Sequence, residues 1–135
     1  MDQFEQAFKA YDQALTYDPN NDTALNNYAY YLSLQDKRLE EALEMARKAL
    51  KLTSENSSYL DTIGWIHFKL GNIDKAEEYI QRSIDTGGAS ATVFEHMGDL
   101  QEKKGNMEKA RKWWKKALDK DPSREELKNK IAPES

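Results

Sequence analysis

Cysteine is absent from the 135 residues, which excludes a disulfide framework, a thiolate metal centre and a cysteine nucleophile. Histidine occurs only twice, as His67 and His96. No apolar run approaches the roughly 18 residues that a membrane-crossing helix requires, and the N-terminus is acidic where a secretory signal would be basic. A soluble chain without membrane insertion is expected, with cytoplasm and periplasm both open as compartments. A phosphate-cradling loop is missing too, because Gly87-Gly88 is not followed by Lys-Ser/Thr. Ser, His and Asp are scattered, and no nucleophile-base-acid set assembles from them. The expectation is therefore a protein that is not an enzyme and has no cofactor and no metal.

What is present is charge and a moderate apolar content, 33% and 39% of residues, which suits thin layers with much exposed surface. The net charge of -4 is unevenly spread: residues 1–21 carry -3, whereas 91–124 carry +3. Such a gradient could steer partners or favour head-to-tail contact, more weakly as salt rises.

A second feature is repetition. Between 57 and 90 lies a unit whose residues recur 34 places later: Gly64 as Gly98, Gly71 as Gly105, Asn72 as Asn106, Lys75-Ala76 as Lys109-Ala110 and Ile80 as Trp114. Going backward, Leu60, Ile63 and Gly64 match Leu25, Tyr28 and Ala29 at 35 residues, so one residue is inserted, most simply at Asp36 to Arg38. A sustained period of this length marks a stacked array in which each unit touches only its neighbours.

The set Leu60, Ile63, Gly64, Gly71, Ala76 and Ile80, followed by Phe94, Met97, Gly98, Gly105, Ala110, Trp114, Ala117 and Pro122, resembles the tetratricopeptide repeat. The resemblance implies an all-α, right-handed superhelix of stacked helical hairpins. The units would be a half-repeat at 1–21 holding only a second helix, full units at 22–56, 57–90 and 91–124, and a capping helix at 123–131. His67 and Gln101 stand where the family usually has Tyr, and Ser83 where it has Ala. Asp61-Thr62-Ile63-Gly64-Trp65 and Glu95-His96-Met97-Gly98-Asp99 are also similar to repeats of long bacterial proteins.

Residues 3–17 read as a helix stopped by Asp18-Pro19, with Phe4, Ala7, Phe8, Tyr11, Ala14 and Leu15 on one face. Its usual partner is missing, which suggests either a fragment of a longer array or a surface for self-association. Later helices are expected at 22–34, 38–52, 57–70, 73–86, 91–104 and 107–119. Asp22 would begin the first of these, and Ser57 or Ser58 would cap the third. Ser123 with Glu126 reads as a capping box opening the last helix, whose Arg124, Glu125, Lys128 and Lys130 would face water. The tail Ala132 to Ser135 is expected to be disordered.

Gly64 in mid-helix costs about 1 kcal/mol against Ala, which implies close approach by the neighbouring helix near Ala76. His67 is read as a partly buried structural residue. His96, beside Glu95 and Asp99, reads as part of a polar wall rather than a metal ligand. The lysines of the basic unit fall on the second helix, which in the family forms the outer, convex side, while the inner side is acidic, which argues against nucleic acid.

In the family, the first helices line a concave channel for an extended peptide or a partner helix. The residues expected there are Asn26, Asn27 and Tyr30, then Asp61, Trp65 and Phe68, then Glu95, His96 and Asp99. Trp65, Tyr30 and Phe68 would be aromatic anchors, although Trp65 could equally pack between consecutive first helices. Asn26 would bond ligand backbone amides, and Asp61, Glu95 and Asp99 would select Lys or Arg. The cationic clamp of chaperone-tail receptors is missing from the corresponding places. The expected function is a protein-interaction module binding a basic, partly apolar segment; the alternative is self-assembly, a homo-oligomer formed through residues 3–17. Trp65→Ala and Asp61→Ala are expected to abolish capture and leave the fold intact.

Overall fold

The computed structural model describes residues 3–131, so the tail from Ala132 lies outside the described residues. Those residues form eight helices and no strand: α1 Gln3–Tyr17, α2 Asp22–Leu34, α3 Leu39–Leu52, α4 Ser57–Lys69, α5 Ile73–Asp85, α6 Ala91–Lys103, α7 Met107–Lys120 and α8 Glu125–Ile131. Consecutive helices pair as the antiparallel hairpins α2–α3, α4–α5 and α6–α7. In addition, α4 touches both α2 and α6, so these three helices form one continuous inner layer.

Side-chain periodicity explains the layering. On α5 only Ala76, Ile80 and Ser83 are buried, and on α7 only Ala110, Trp114 and Ala117, which is the single stripe of an outer helix. By contrast α4 is buried from Tyr59 through His67, because it is flanked by α2, α3, α5 and α6. Burying an Ile or Leu side chain of this kind stabilises the fold by about 2 kcal/mol.

Small residues set the helix spacing. A Cβ added to Gly64 would lie 2.7 Å from Cγ1 of Ile80 and 3.1 Å from the Ala76 carbonyl oxygen, which is the close approach that the glycine implies. Ala29 and Ala42 are likewise fully buried between α2 and α3. Gly71 and Gly105 close α4 and α6 at φ 87° and 85°, left-handed conformations that Gly adopts without a Cβ clash. In the first hairpin Asp36 and Arg38 both take positive φ, 52° and 50°, and the extra residue of the longer spacing is accommodated there.

Several helix starts differ from the sequence expectation. Asn21 caps α2, its side chain accepting from the Ala24 N–H at 3.1 Å. Asp22 is the first residue of α2, as expected, and its carboxylate also accepts from Thr53 Oγ1 at 2.6 Å and Tyr59 Oη at 3.0 Å, which ties three helices together. These two bonds hold its carboxyl below the usual range. Asn56, not Ser57 or Ser58, caps α4. Ser57 is used elsewhere, bonded at 2.8 Å to the fully buried Ser83, so the serine at an alanine place gains a partner. No capping box forms at α8: Asp121 Oδ1 accepts from both the N–H and the hydroxyl of Ser123, and the helix begins at Glu125.

Candidate functional site

The inner layer displays the polar face of α2, α4 and α6, and two cavities lie along it. One, of about 190 Å³, is lined by Asn26, Asn27, Tyr30, Asp61, Thr62 and Thr92 among others. The other, of about 540 Å³, is lined by Trp65, Phe68, Asp99, Glu102, Lys103 and Lys130. All nine residues singled out from the sequence lie on these three helices, but they play different structural parts.

Trp65 is not an exposed anchor. Only 8% of it is accessible, because its ring is stacked between His96, at 3.9 Å centroid separation, and Phe68, at 4.8 Å. This is the packing alternative, with Phe68 on the outer side and still half-exposed. Tyr30 is also half-exposed and lies 6.1 Å from the His96 ring. Burial, reinforced by the nearby carboxylates of Asp61 and Glu95, pushes its hydroxyl up to about 12.

The carboxylates are already occupied. Asp61 is buried and accepts from His96 Nδ1 at 2.8 Å, a link between successive inner helices. Glu95 is bonded to Arg124 Nη1 at 2.7 Å. Asp99 accepts from Trp114 Nε1 at 3.1 Å and from Lys130 Nζ at 3.2 Å. Because Asp61 and Trp65 are internal, their replacement by Ala is expected to disturb the fold as well as the groove, contrary to the reading from sequence. Arg124 and Lys130 do not simply face water either. Arg124 also bonds Thr92 Oγ1 and Asp121, while Lys130 lies 5.1 Å over the Trp114 ring. A signal for this was present, since Lys130 is one 34-residue period after His96.

Among the described residues Asn26, Trp65, His67 and Arg111 each have a buried polar atom without a partner, which for Trp65 is the indole Nε1. Asn26 Oδ1 is one such atom, although its Nδ2 reaches Asn27 Oδ1 at 3.4 Å. On the other side of α4, His67 is stacked on Tyr79 and faces Asn72 Nδ2 through Nδ1 at 3.3 Å, while its Nε2 has no partner. Burial, with Arg47 and Lys75 nearby, moves its pKa below the usual histidine value. Among the described residues no three His, Asp or Glu side chains are placed to hold a metal ion. None of the described helices is long and apolar enough to cross a membrane.

The geometry of stacked hairpins with an inner polar wall is matched by sequence comparison. Models of the tetratricopeptide repeat match residues 10–44 and 62–125. The chain belongs to the tetratricopeptide repeat family. Over 67 residues it is 36% identical to the TPR repeat-containing protein PA4667 of Pseudomonas aeruginosa, which covers 50% of this chain and 11% of that relative. This tetratricopeptide chain thus spans about a ninth of the length of that relative. Among solved structures, the thermophilic TPR protein TTC0263 of Thermus thermophilus superposes with a TM-score of 0.77 at 18% identity, covering 92% of this chain and 69% of that one. YrrB, described as a TPR protein with an unusual peptide-binding site, superposes with a TM-score of 0.72 at 20% identity, covering 90% and 62%. These likenesses establish an all-α tetratricopeptide solenoid, and the family is one of protein-interaction modules.

Proposed function

We propose that the concave wall of α2, α4 and α6 receives an extended, basic and partly apolar polypeptide segment, and that the chain acts without catalysis. The observation that carries this reading is the engagement of the wall's carboxylates by cations of the chain itself. Glu95 holds a guanidinium and Asp99 holds an ammonium, the two head groups a basic ligand would bring. Tyr30 and Phe68, each half-exposed beside a cavity, supply the apolar contact in place of the buried Trp65. The described peptide-binding site of YrrB, on the same fold, agrees with this use of the scaffold.

The test is fluorescence anisotropy with a capped octapeptide of arginine, lysine, leucine and serine, against an acidic peptide of matched composition. The basic peptide should bind, and more weakly as salt is raised. Equal binding of the acidic peptide, or none by the basic one, would overturn the reading.

Self-assembly is favoured by one separate observation: α1 has no buried residue, and Phe4, Phe8, Tyr11 and Leu15 along its inner face are only partly covered. Sedimentation against concentration tests it, and a monomer throughout would reject it.

A further inference from the structure

The acidic end of the wall is occupied by an arrangement more specific than a solvated helix would make. Arg124 stands just before α8 and touches three groups at once: Glu95 at 2.7 Å, Thr92 Oγ1 at 2.8 Å and Asp121 at 3.1 Å. At the other end of α8, Lys130 reaches Asp99 at 3.2 Å. Between them Leu127 is fully buried against the core of α6 and α7, including Trp114 and Ala117. The helix body and its two cations are therefore held by different means. Leu127 secures the helix by apolar burial, which no groove ligand need disturb. The cations are held by ion pairs with partly exposed side chains, 24% for Arg124 and 37% for Lys130, and such pairs are individually weak.

We infer that Thr92, Glu95 and Asp99 form a docking seat for a guanidinium and an ammonium, filled in this chain by Arg124 and Lys130 and taken over by the cations of a basic partner segment. The inference rests on the groove reading above. Takeover is an exchange of side chains: Arg124 and Lys130 swing toward solvent, α8 stays on Leu127, and the ligand's cations take their places. Both occupants carry the same charge, so no carboxylate is left buried and unpaired, which is what makes the exchange inexpensive. The seat is tethered to its internal occupant, so a partner's apparent affinity is lowered by the fraction of time the seat is filled. Charge complementarity commits the partner to a basic polypeptide segment.

The test compares binding of the basic octapeptide to the full chain and to the double variant Arg124→Gln, Lys130→Gln. Binding to the variant should be roughly fivefold tighter, since two partly exposed ion pairs no longer compete. Removing positive charge anywhere favours a cationic ligand, so the control is Lys120→Gln, Lys128→Gln, which changes net charge equally and touches neither Glu95 nor Asp99. Equal tightening in the control overturns the seat, and so does unchanged affinity in the double variant; in both cases the groove reading survives. Failure of the octapeptide to bind any of the three folded proteins overturns both. Lys130→Gln alone, which leaves Arg124 in place, guards against misfolding and should give about a twofold gain.

Discussion

Asp61 and His96 are joined across two inner helices by a 2.8 Å bond, with Trp65 stacked against the same imidazole at 3.9 Å centroid separation. The carboxylate accepts, so Nδ1 donates the hydrogen of this bond. Both residues are only 5% exposed, and truncating one leaves the other buried without its partner. Asp61→Ala should therefore destabilise the protein by about 3 kcal/mol. Asp61→Asn, which keeps an acceptor for Nδ1, should stay within about 1.5 kcal/mol of the parent. Urea denaturation checks both, and equal effects would show that packing, not the bond, holds the helices in register.

At Gly98 a Cβ would fall well within van der Waals contact of Cδ1 and Nε1 of the Trp114 indole. The ring is 1% exposed and its Nε1 is bonded to Asp99, so it cannot move aside without losing both packing and the bond. Gly98→Ala gains about 1 kcal/mol in helix propensity but should still be net destabilising by about 1–2 kcal/mol through overpacking. A rise in melting temperature would mean that the indole has room to shift. Gly98→Ala with Trp114→Leu should recover part of the loss.

The helices were legible from sequence because a 34-residue period constrains every position at once: a glycine beside a large residue one helix away, as in Gly98 with Trp114, can be inferred twice from two units. The caps were less legible. Asn and Ser stand next to each other at 56 and 57, and the serine's commitment to Ser83, 26 residues on, cannot be read locally. The site was the least legible part. Periodicity places Trp65, Asp61 and Asp99 on the inner wall but says nothing of what lies against them. His96 and Lys130 come from the following helices and Arg124 from the turn before α8, and it is these that bury the indole and occupy the carboxylates.

Burial disfavours protonation of His67. Its ring is 3% exposed, Nε2 has no partner, and burial with Arg47 and Lys75 lowers its pKa, whereas Glu40 and Glu78 oppose that shift. Because the folded state resists protonation, the unfolded state binds more protons once pH falls below about 6.5, and stability declines from there down to the lowered folded value. Gln101 fills the equivalent place in the next hairpin without a titratable group, bonding Glu77 and Asn106. His67→Gln should therefore flatten the stability profile below about pH 6.5. Melting temperatures of the two proteins across that window decide it, and parallel curves would remove His67 as the cause.

Asn26 supplies the sharpest test of the groove's other half. It is 5% exposed, and Oδ1 has no donor in the free protein although the residue lines the 190 Å³ cavity with Asn27, Tyr30 and Asp61. A buried acceptor without a donor destabilises the free chain, and a ligand amide donating to it would relieve that penalty only in the complex. Asn26→Ala should thus leave stability unchanged or slightly raised, while weakening the basic octapeptide by about tenfold, roughly 1.4 kcal/mol. Asn26→Asp places a charge near Asp61 and should lose stability without gaining affinity. Calorimetric titration beside thermal melting separates these outcomes. Lost stability with unchanged affinity in Asn26→Ala would assign the residue to packing and remove it from the ligand's path.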